Sequence, residues 1–292
     1  MMLRAKQKRN KDWEKGTEYI YVNGCSNTEG TDLSLPNDYD AYPFVLADLL
    51  GSNVISSASC GSSNYRICRS TIDFLCDIDV LPEIVIIQWT GTDRFETPHN
   101  FDMIENDNNY EGWKQHLPYG SVQTNRNFIN IHFRGFYRSN FYSTEDQMKK
   151  NWEGMDPEIE TKRETAWATQ MLSLDAYIKS LGIKKVIHFP FTKVWTYDTN
   201  PVLQAAFDTI DCPMEQKDSG MRWPLRDNGY KPCGDIIPGL NERDGHYMAD
   251  AHYQIALWLY NYIKYGTTIK INLSDEYIQE DGMELNHYAL GR

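Results

Sequence analysis

Apolar positions along the chain alternate between short continuous runs and longer stretches in which they recur every three or four residues. Glu18-Tyr19-Ile20-Tyr21-Val22 is β-branched and aromatic and stops at Asn23-Gly24, which predicts a strand running into a turn. Ala41 to Leu50 has helical spacing and stops at Gly51; Asn53-Val54-Ile55-Ser56 reads as a second strand. A Ser/Gly loop over Ser57 to Ser63 leads into a helix over Asn64–Cys76, with Ile67, Ile72, Leu75 and the two cysteines Cys68 and Cys76 as its buried stripe. Glu83 to Trp89 is a continuous apolar run of the kind buried on both faces of a parallel sheet. Pro98 to Ser143 is aromatic, Asn-rich and without period, and reads as an insertion or lid. A long helix is expected within Glu145–Leu181, best supported from Glu160 onward and ending at Gly182. Lys185 to Phe189 is another buried strand, Pro201–Ile210 a short helix, Asp211–Leu240 an irregular Pro- and Gly-rich stretch, and Tyr247–Tyr265 a well-marked helix.

Strands alternating with helices predict an α/β protein: a three-layer α/β/α sandwich, flavodoxin-like, with a mostly parallel sheet. No linker divides the chain. The expected organisation is a basic N-terminal arm over 1–16, one domain over 17–265 with insertions at 98–160 and 211–240, and a C-terminal tail over 266–292. Hydrophobic residues make up 41% of the 292 and charged residues 24%, which predicts a packed core rather than disorder. Lys+Arg 29 against Asp+Glu 41 gives 29 − 41 = −12, a balance that argues against nucleic acid as the main partner. The longest apolar runs fall far short of the roughly 20 residues that span a bilayer, so no membrane partner is expected.

Arg4, Lys6, Lys8, Arg9, Lys11 and Lys15 crowd the N-terminus with no apolar segment after them, so no secretory signal is read and a cytoplasmic location is expected. The arm reads as a frayed, solvated end, with docking to an acidic partner as the other reading. The six cysteines form no CxxC pair. Cys68 and Cys76 read as small core residues; Cys212 and Cys233 flank the Pro/Gly-rich loop, where a bridge is the alternative to two free thiols.

In open parallel sheets, ligands bind beyond the carboxyl ends of the strands. Three polar clusters fall at such places, Asn23-Gly24-Cys25-Ser26-Asn27-Thr28, Ser59-Cys60-Gly61-Ser62-Ser63-Asn64 and Thr90-Gly91-Thr92-Asp93-Arg94, and a fourth, Asp244-Gly245-His246, comes just before the last helix. Taken singly, Ser26 is equally a turn or N-cap residue, and His246 a polar residue at a helix start or a metal ligand. His252, six positions on, lacks the i, i+4 spacing that places two imidazoles on one metal and is expected to orient or pack within the helix. The order of the four clusters is the stronger signal.

That order resembles the SGNH/GDSL hydrolase family over residues 17–95 and 183–265. Gly24-Cys25-Ser26 is similar to its first block, Gly61 to its second-block glycine, Thr90-Gly91-Thr92-Asp93 to its third block, and Asp244-Gly245-His246 to its last. The variants Asn-Gly-Cys-Ser, Trp-Thr-Gly-Thr-Asp-Arg and Asp-Gly-His resemble a divergent branch associated with phages and giant viruses. The resemblance implies a serine hydrolase acting on ester bonds, an esterase or carbohydrate O-deacetylase. Ser26 would attack, His246 would carry the proton and Asp244 would orient the imidazole. The oxyanion would lie on the backbone N–H groups of Ser26 and Gly61 and on Thr92. Asn64, Thr90, Asp93 and Arg94 would line the substrate, an acylated small molecule or carbohydrate, with no cofactor and no metal.

The pattern departs from the family in four places, the first being a displaced third-block glycine with Thr90 in its position. Thr92 stands where the family has an asparagine donor, and loss of one such donor typically costs about 10²–10³ in turnover; Thr90 or Asn64 would be the substitutes. The Asp-His spacing is one residue short, with Glu242 as a second candidate partner for His246. Cys25 stands in the family's aspartate position and is expected to be a buried thiol, with a catalytic cysteine as its rival. Arg94 and Glu96 are either a surface ion pair or a contact to a polar substrate, and the aromatic insertion is either a packed lid or a sugar-stacking platform. Two other functions stay open: a catalytically inactive binding or assembly protein, such as a virion component or a homo-oligomer, and a metal-dependent hydrolase using His246, His252 and Asp250.

Overall fold

The computed structural model describes residues 6–8, 18–31, 33, 40–60, 62–92, 94–98, 122–125, 128–132, 157–192, 194, 196–217, 220–230 and 246–270. Its centre is a sheet of β1 (Lys6–Lys8), β2 (Tyr19–Asn23), β3 (Asn53–Ser56), β4 (Ile84–Trp89) and β8 (Lys185–Pro190) in the order β1-β3-β2-β4-β8. β3, β2, β4 and β8 run parallel, and β1 pairs antiparallel on the outer edge of β3. Every residue of β2 and β4 is buried, as the unbroken apolar runs predict for strands covered on both faces.

Pairs of side chains identify the covering helices. Tyr21 stacks on Phe74 of α3 (Asn64–Cys76), and Trp89 meets Trp167 of α4 (Pro157–Ser180) edge-on, so α3 and α4 cover one face. Phe189 packs near Tyr42 of α2 (Tyr42–Leu50), and α2 lies against α7 (Ala249–Tyr265); these cover the other face. The result is the three-layer α/β/α arrangement expected from the alternating pattern. Between β8 and α7 lie α5 (Pro201–Thr209) and α6 (Arg222–Asp227), the latter within a stretch expected to be irregular. Local chemistry sets the helix ends. The Ser63 hydroxyl accepts from Arg66 N at 3.1 Å to start α3, and Asn200 accepts from Leu203 N with Pro201 at the first turn to start α5.

Three expectations need correction. Lys6–Lys8 is strand rather than a frayed end: its backbone finds partners in Val54 to Ser56, a pairing that a polar triplet does not announce. The aperiodic stretch holds regular structure, because β5 (Arg94–Pro98), β6 (Val122–Asn125) and β7 (Phe128–His132) form a separate antiparallel sheet in the order β5-β7-β6. Cys76 is exposed, with its thiol 3.0 Å from Tyr177 Oη, while Cys68 is half-buried. Eight residues of helix advance about 80° beyond two full turns, which rotates Cys76 out of the stripe that Cys68 borders. Cys212 is buried, and burial pushes its thiol up to about 12; Cys233 lies outside the described residues. Among the described residues no helix is long and apolar enough to cross a membrane.

Candidate active site

β2 delivers the chain to the carboxyl edge of the sheet, where it turns through Gly24 and Cys25 into the single-turn helix α1 (Ser26–Glu29). Cys25 is extended, and its carbonyl accepts from Thr28 N at 2.9 Å and Glu29 N at 3.0 Å. Position 24 has no room for a side chain: a Cβ would lie 2.2 Å from Thr28 Oγ1 and 2.8 Å from Gln88 Oε1. Gly30, at φ 81°, closes the turn in the left-handed region.

Gln88, fully buried on β4, organises this turn. Its Oε1 accepts from Thr28 Oγ1 at 2.7 Å, Cys25 N at 3.2 Å and Cys25 Sγ at 3.2 Å. The Thr28 proton is committed to Gln88, so Tyr42 Oη, 3.1 Å away, donates to Thr28; burial raises the Tyr42 phenol. Asn23 anchors the strand end on the other face. Its Oδ1 accepts from Gly24 N at 2.8 Å, and its Nδ2 reaches Ser70 Oγ and Thr71 Oγ1, both at 2.9 Å, on α3. Cys25 is the buried thiol that was expected. Ser26 is 3% exposed. Among the described residues the side-chain contact of its Oγ is Cys25 Sγ at 4.0 Å.

The second cluster follows β3. Ser57 N donates to Val22 O at 3.0 Å, Ser59 N to Gly24 O at 3.3 Å and Cys60 N to Glu29 Oε2 at 2.6 Å. Arg66, buried on α3, supports the loop from beneath through Ser57 O at 3.3 Å and Ser62 Oγ at 2.8 Å. Gly61 lies outside the described residues.

Asn64 of the second cluster and Thr90 of the third meet in a two-way clamp: Thr90 N donates to Asn64 Oδ1 at 2.9 Å, and Asn64 Nδ2 donates to Thr90 O at 3.0 Å. The Asn64 amide therefore supports the third turn through its Oδ1 and one of its two N–H groups. Thr92 is half-buried two residues beyond the clamp; Asp93 lies outside the described residues, and Arg94 opens β5 opposite His132.

Asp244 also lies outside the described residues. His246 is 8% exposed. The next residue, Tyr247, packs edge-on against Phe191, directly after β8, with ring centroids 6.0 Å apart. His252, on the first turns of α7, accepts from Tyr42 N at 3.2 Å through Nδ1. Burial lowers its pKa to about 4; a hydrogen bond with the Tyr247 backbone opposes the shift and the neighbouring His246 adds to it. These contacts bring the His246 segment to the edge that carries Thr28, Tyr42 and hence Ser26. Ser26, Thr90 and Thr92 thus follow the carboxyl ends of β2 and β4, and His246 directly precedes the tyrosine that packs against Phe191 at the end of β8. Gln88, Glu29 and Arg66, which help to build this edge, were not singled out from the sequence. A further buried histidine, His188, is a structural one. The Trp89 indole N–H can only donate, so Nδ1 of His188 accepts it at 3.2 Å, and Nε2–H faces Asp175 Oδ1 at 3.3 Å.

The sequence profile of DUF6071, a family of unknown function, matches residues 26–212, well over half of the chain. The chain belongs to this family. The DUF6071 match begins at Ser26 and takes in the second and third clusters, while His246 lies beyond it. No curated protein matches the chain. Among solved structures, it is similar to a lipolytic protein of the G-D-S-L family from Desulfitobacterium hafniense DCB-2, at 12% identity and TM-score 0.40 over 84% of this chain and 99% of that one. A member of the lipolytic protein G-D-S-L family from Veillonella parvula DSM 2008 shares 11% identity at TM-score 0.40, over 86% and 99% of the two chains. A carbohydrate esterase family 2 enzyme with a carbohydrate-binding domain, from Corynascus thermopiles (Myceliophthora fergusii), shares 12% at TM-score 0.43, over 86% and 67%. These overlaps are loose, and the fold assignment stands on the strand order and the covering helices.

Proposed function

We propose that this DUF6071 protein is an SGNH-type serine hydrolase acting on ester bonds, with an O-acylated carbohydrate or small molecule as substrate. The observation that carries the reading is the position of Ser26: it opens a helix directly after a central parallel strand, at the edge to which the His246 segment returns. Ser26 Oγ attacks the ester carbonyl while His246 takes its proton, and Asp244 holds the imidazole in the required tautomer. The tetrahedral oxyanion rests on Ser26 N–H, Gly61 N–H and the Thr92 hydroxyl. Collapse expels the alcohol, which receives the proton from His246 and leaves acyl-Ser26. Water, deprotonated by His246, then releases the carboxylic acid and restores the serine. The Asn64–Thr90 clamp fixes the turn that presents Thr92, and the Gln88 amide fixes the turn that presents Ser26.

The test is hydrolysis of a short-chain aryl acetate together with labelling by a fluorophosphonate. Wild-type protein turns over the ester and is labelled at Ser26, and Ser26→Ala lowers turnover at least about 10³-fold and abolishes labelling. A second reading is a binding or assembly protein on the same fold, a virion component being one form of it. It is favoured by the threonine at position 92, where the SGNH pattern has an asparagine donor. A folded wild-type protein that is neither active nor labelled decides for it.

A further inference from the structure

We propose that Glu29 is a positioning residue: its carboxylate straps the second loop to the helix that carries Ser26 and so sets the spacing between the two backbone segments that receive the oxyanion. The inference rests on the ester-hydrolase reading. Glu29 ends α1 three residues after Ser26, and i, i+3 positions on a helix share a side, with β-carbons about 5–6 Å apart. Its Oε2 accepts the Cys60 N–H at 2.6 Å and the Thr31 hydroxyl at 3.3 Å, so the carboxylate is held from the turn that follows its helix and reaches across to the loop. A hydrogen bond to an ionised acceptor is roughly twice as strong as a neutral one.

Three successive ties bind this loop to the β2–α1 segment. Ser57 N donates to Val22 O and Ser59 N to Gly24 O, both acceptors being backbone. The third, Cys60 N to Glu29, depends on the identity of a side chain. It is also the tie adjacent to Gly61, whose N–H is the second oxyanion donor in the reading above. Donors that stabilise a transition state act through prior placement, and displacements of about 1 Å cost about 10²-fold in rate. Loosening the strap therefore lowers turnover rather than ground-state binding.

Glu29→Ala and Glu29→Gln test this, because the glutamine keeps an acceptor oxygen and loses only the charge. With an aryl acetate, Glu29→Ala is expected to lower kcat about 10- to 100-fold with KM within about threefold, and Glu29→Gln to stay within about fivefold of wild type. Amide hydrogen exchange of the peptide covering 57–63 is the second arm: it should quicken about tenfold or more in Glu29→Ala and stay close to wild type in Glu29→Gln. Unchanged exchange in Glu29→Ala, an unchanged kcat, or equal impairment of both variants overturns the proposal. If wild-type protein is inactive and Ser26 is unlabelled, the hydrolase reading fails and the positioning role fails with it. Faster exchange in Glu29→Ala would then leave Glu29 as a structural tie alone.

Discussion

Gln88 is a lone amide in the run Ile84-Val85-Ile86-Ile87-Gln88-Trp89, in a strand with no solvent on either face. A buried amide must be satisfied, and this one is satisfied by the turn that presents Ser26. Replacing it with leucine removes the acceptor of Thr28 Oγ1, Cys25 N and Cys25 Sγ at one stroke. Gln88→Leu is expected to cost roughly 1–3 kcal/mol in urea unfolding, the range for a buried donor left without a partner. Gly24→Ala attacks the same turn sterically, since the new methyl meets Thr28 and Gln88 below 3 Å. It should depress fluorophosphonate labelling more than it depresses the unfolding midpoint, because the added volume is relieved by moving α1. Gln88 was legible in principle as the polar exception in an apolar strand, whereas its three donors were not, because they are fixed only when the strands assemble.

Between elements, the contact of α2 with α7 passes through a histidine. His252 accepts from the Tyr42 amide and is held neutral by burial, with a pKa of about 4 against about 6.5 in the unfolded chain. As pH falls from 6.5 to 4 the unfolded chain takes up the proton first, so the stability that is complete above 6.5 is lost across this window, by roughly 3 kcal/mol. Urea unfolding at pH 7 and pH 4.5 measures the loss, and His252→Gln should flatten that part of the profile. His188 is displaced in the same direction, chiefly by its burial, and its share of the slope survives in the variant. The single elements were well legible. The bounds of α3 follow from Ser63 and a stripe of period 3.6, and β4 follows from its unbroken apolar run. What escaped are β1 and the sheet of β5, β6 and β7, because antiparallel pairing draws on distant partners and leaves little periodicity in segments of three to five residues. At the candidate site the roles of Asn64 and Glu29 were not legible, since each is defined by a backbone group dozens of positions away.

On the scale of the molecule, stability is concentrated in β2, β4 and β8, whose inner residues have helices on both sides. Ile86→Ala, in the middle of β4, should cost about 2–5 kcal/mol. The amides of β2 and β4 should be the slowest to exchange, close to the global unfolding rate. The flanks of the sheet are closed differently. On the β8 side a single bridge from Ile187 to Asp211, with His188 N donating to Asp211 O at 2.8 Å, occupies the rim, and Tyr262 and Lys185 hold Asp211 there.

On the opposite flank, Lys6–Lys8 covers β3, the outermost of the parallel strands. A bare strand at that place is a template for a neighbour's backbone, and a lysine-bearing strip is a common natural guard against such recruitment. Clipping the chain before position 18 would leave the four parallel strands paired among themselves while opening one of them to intermolecular zippering. The cost would surface as aggregation at high protein concentration well before it surfaced as a lower melting temperature.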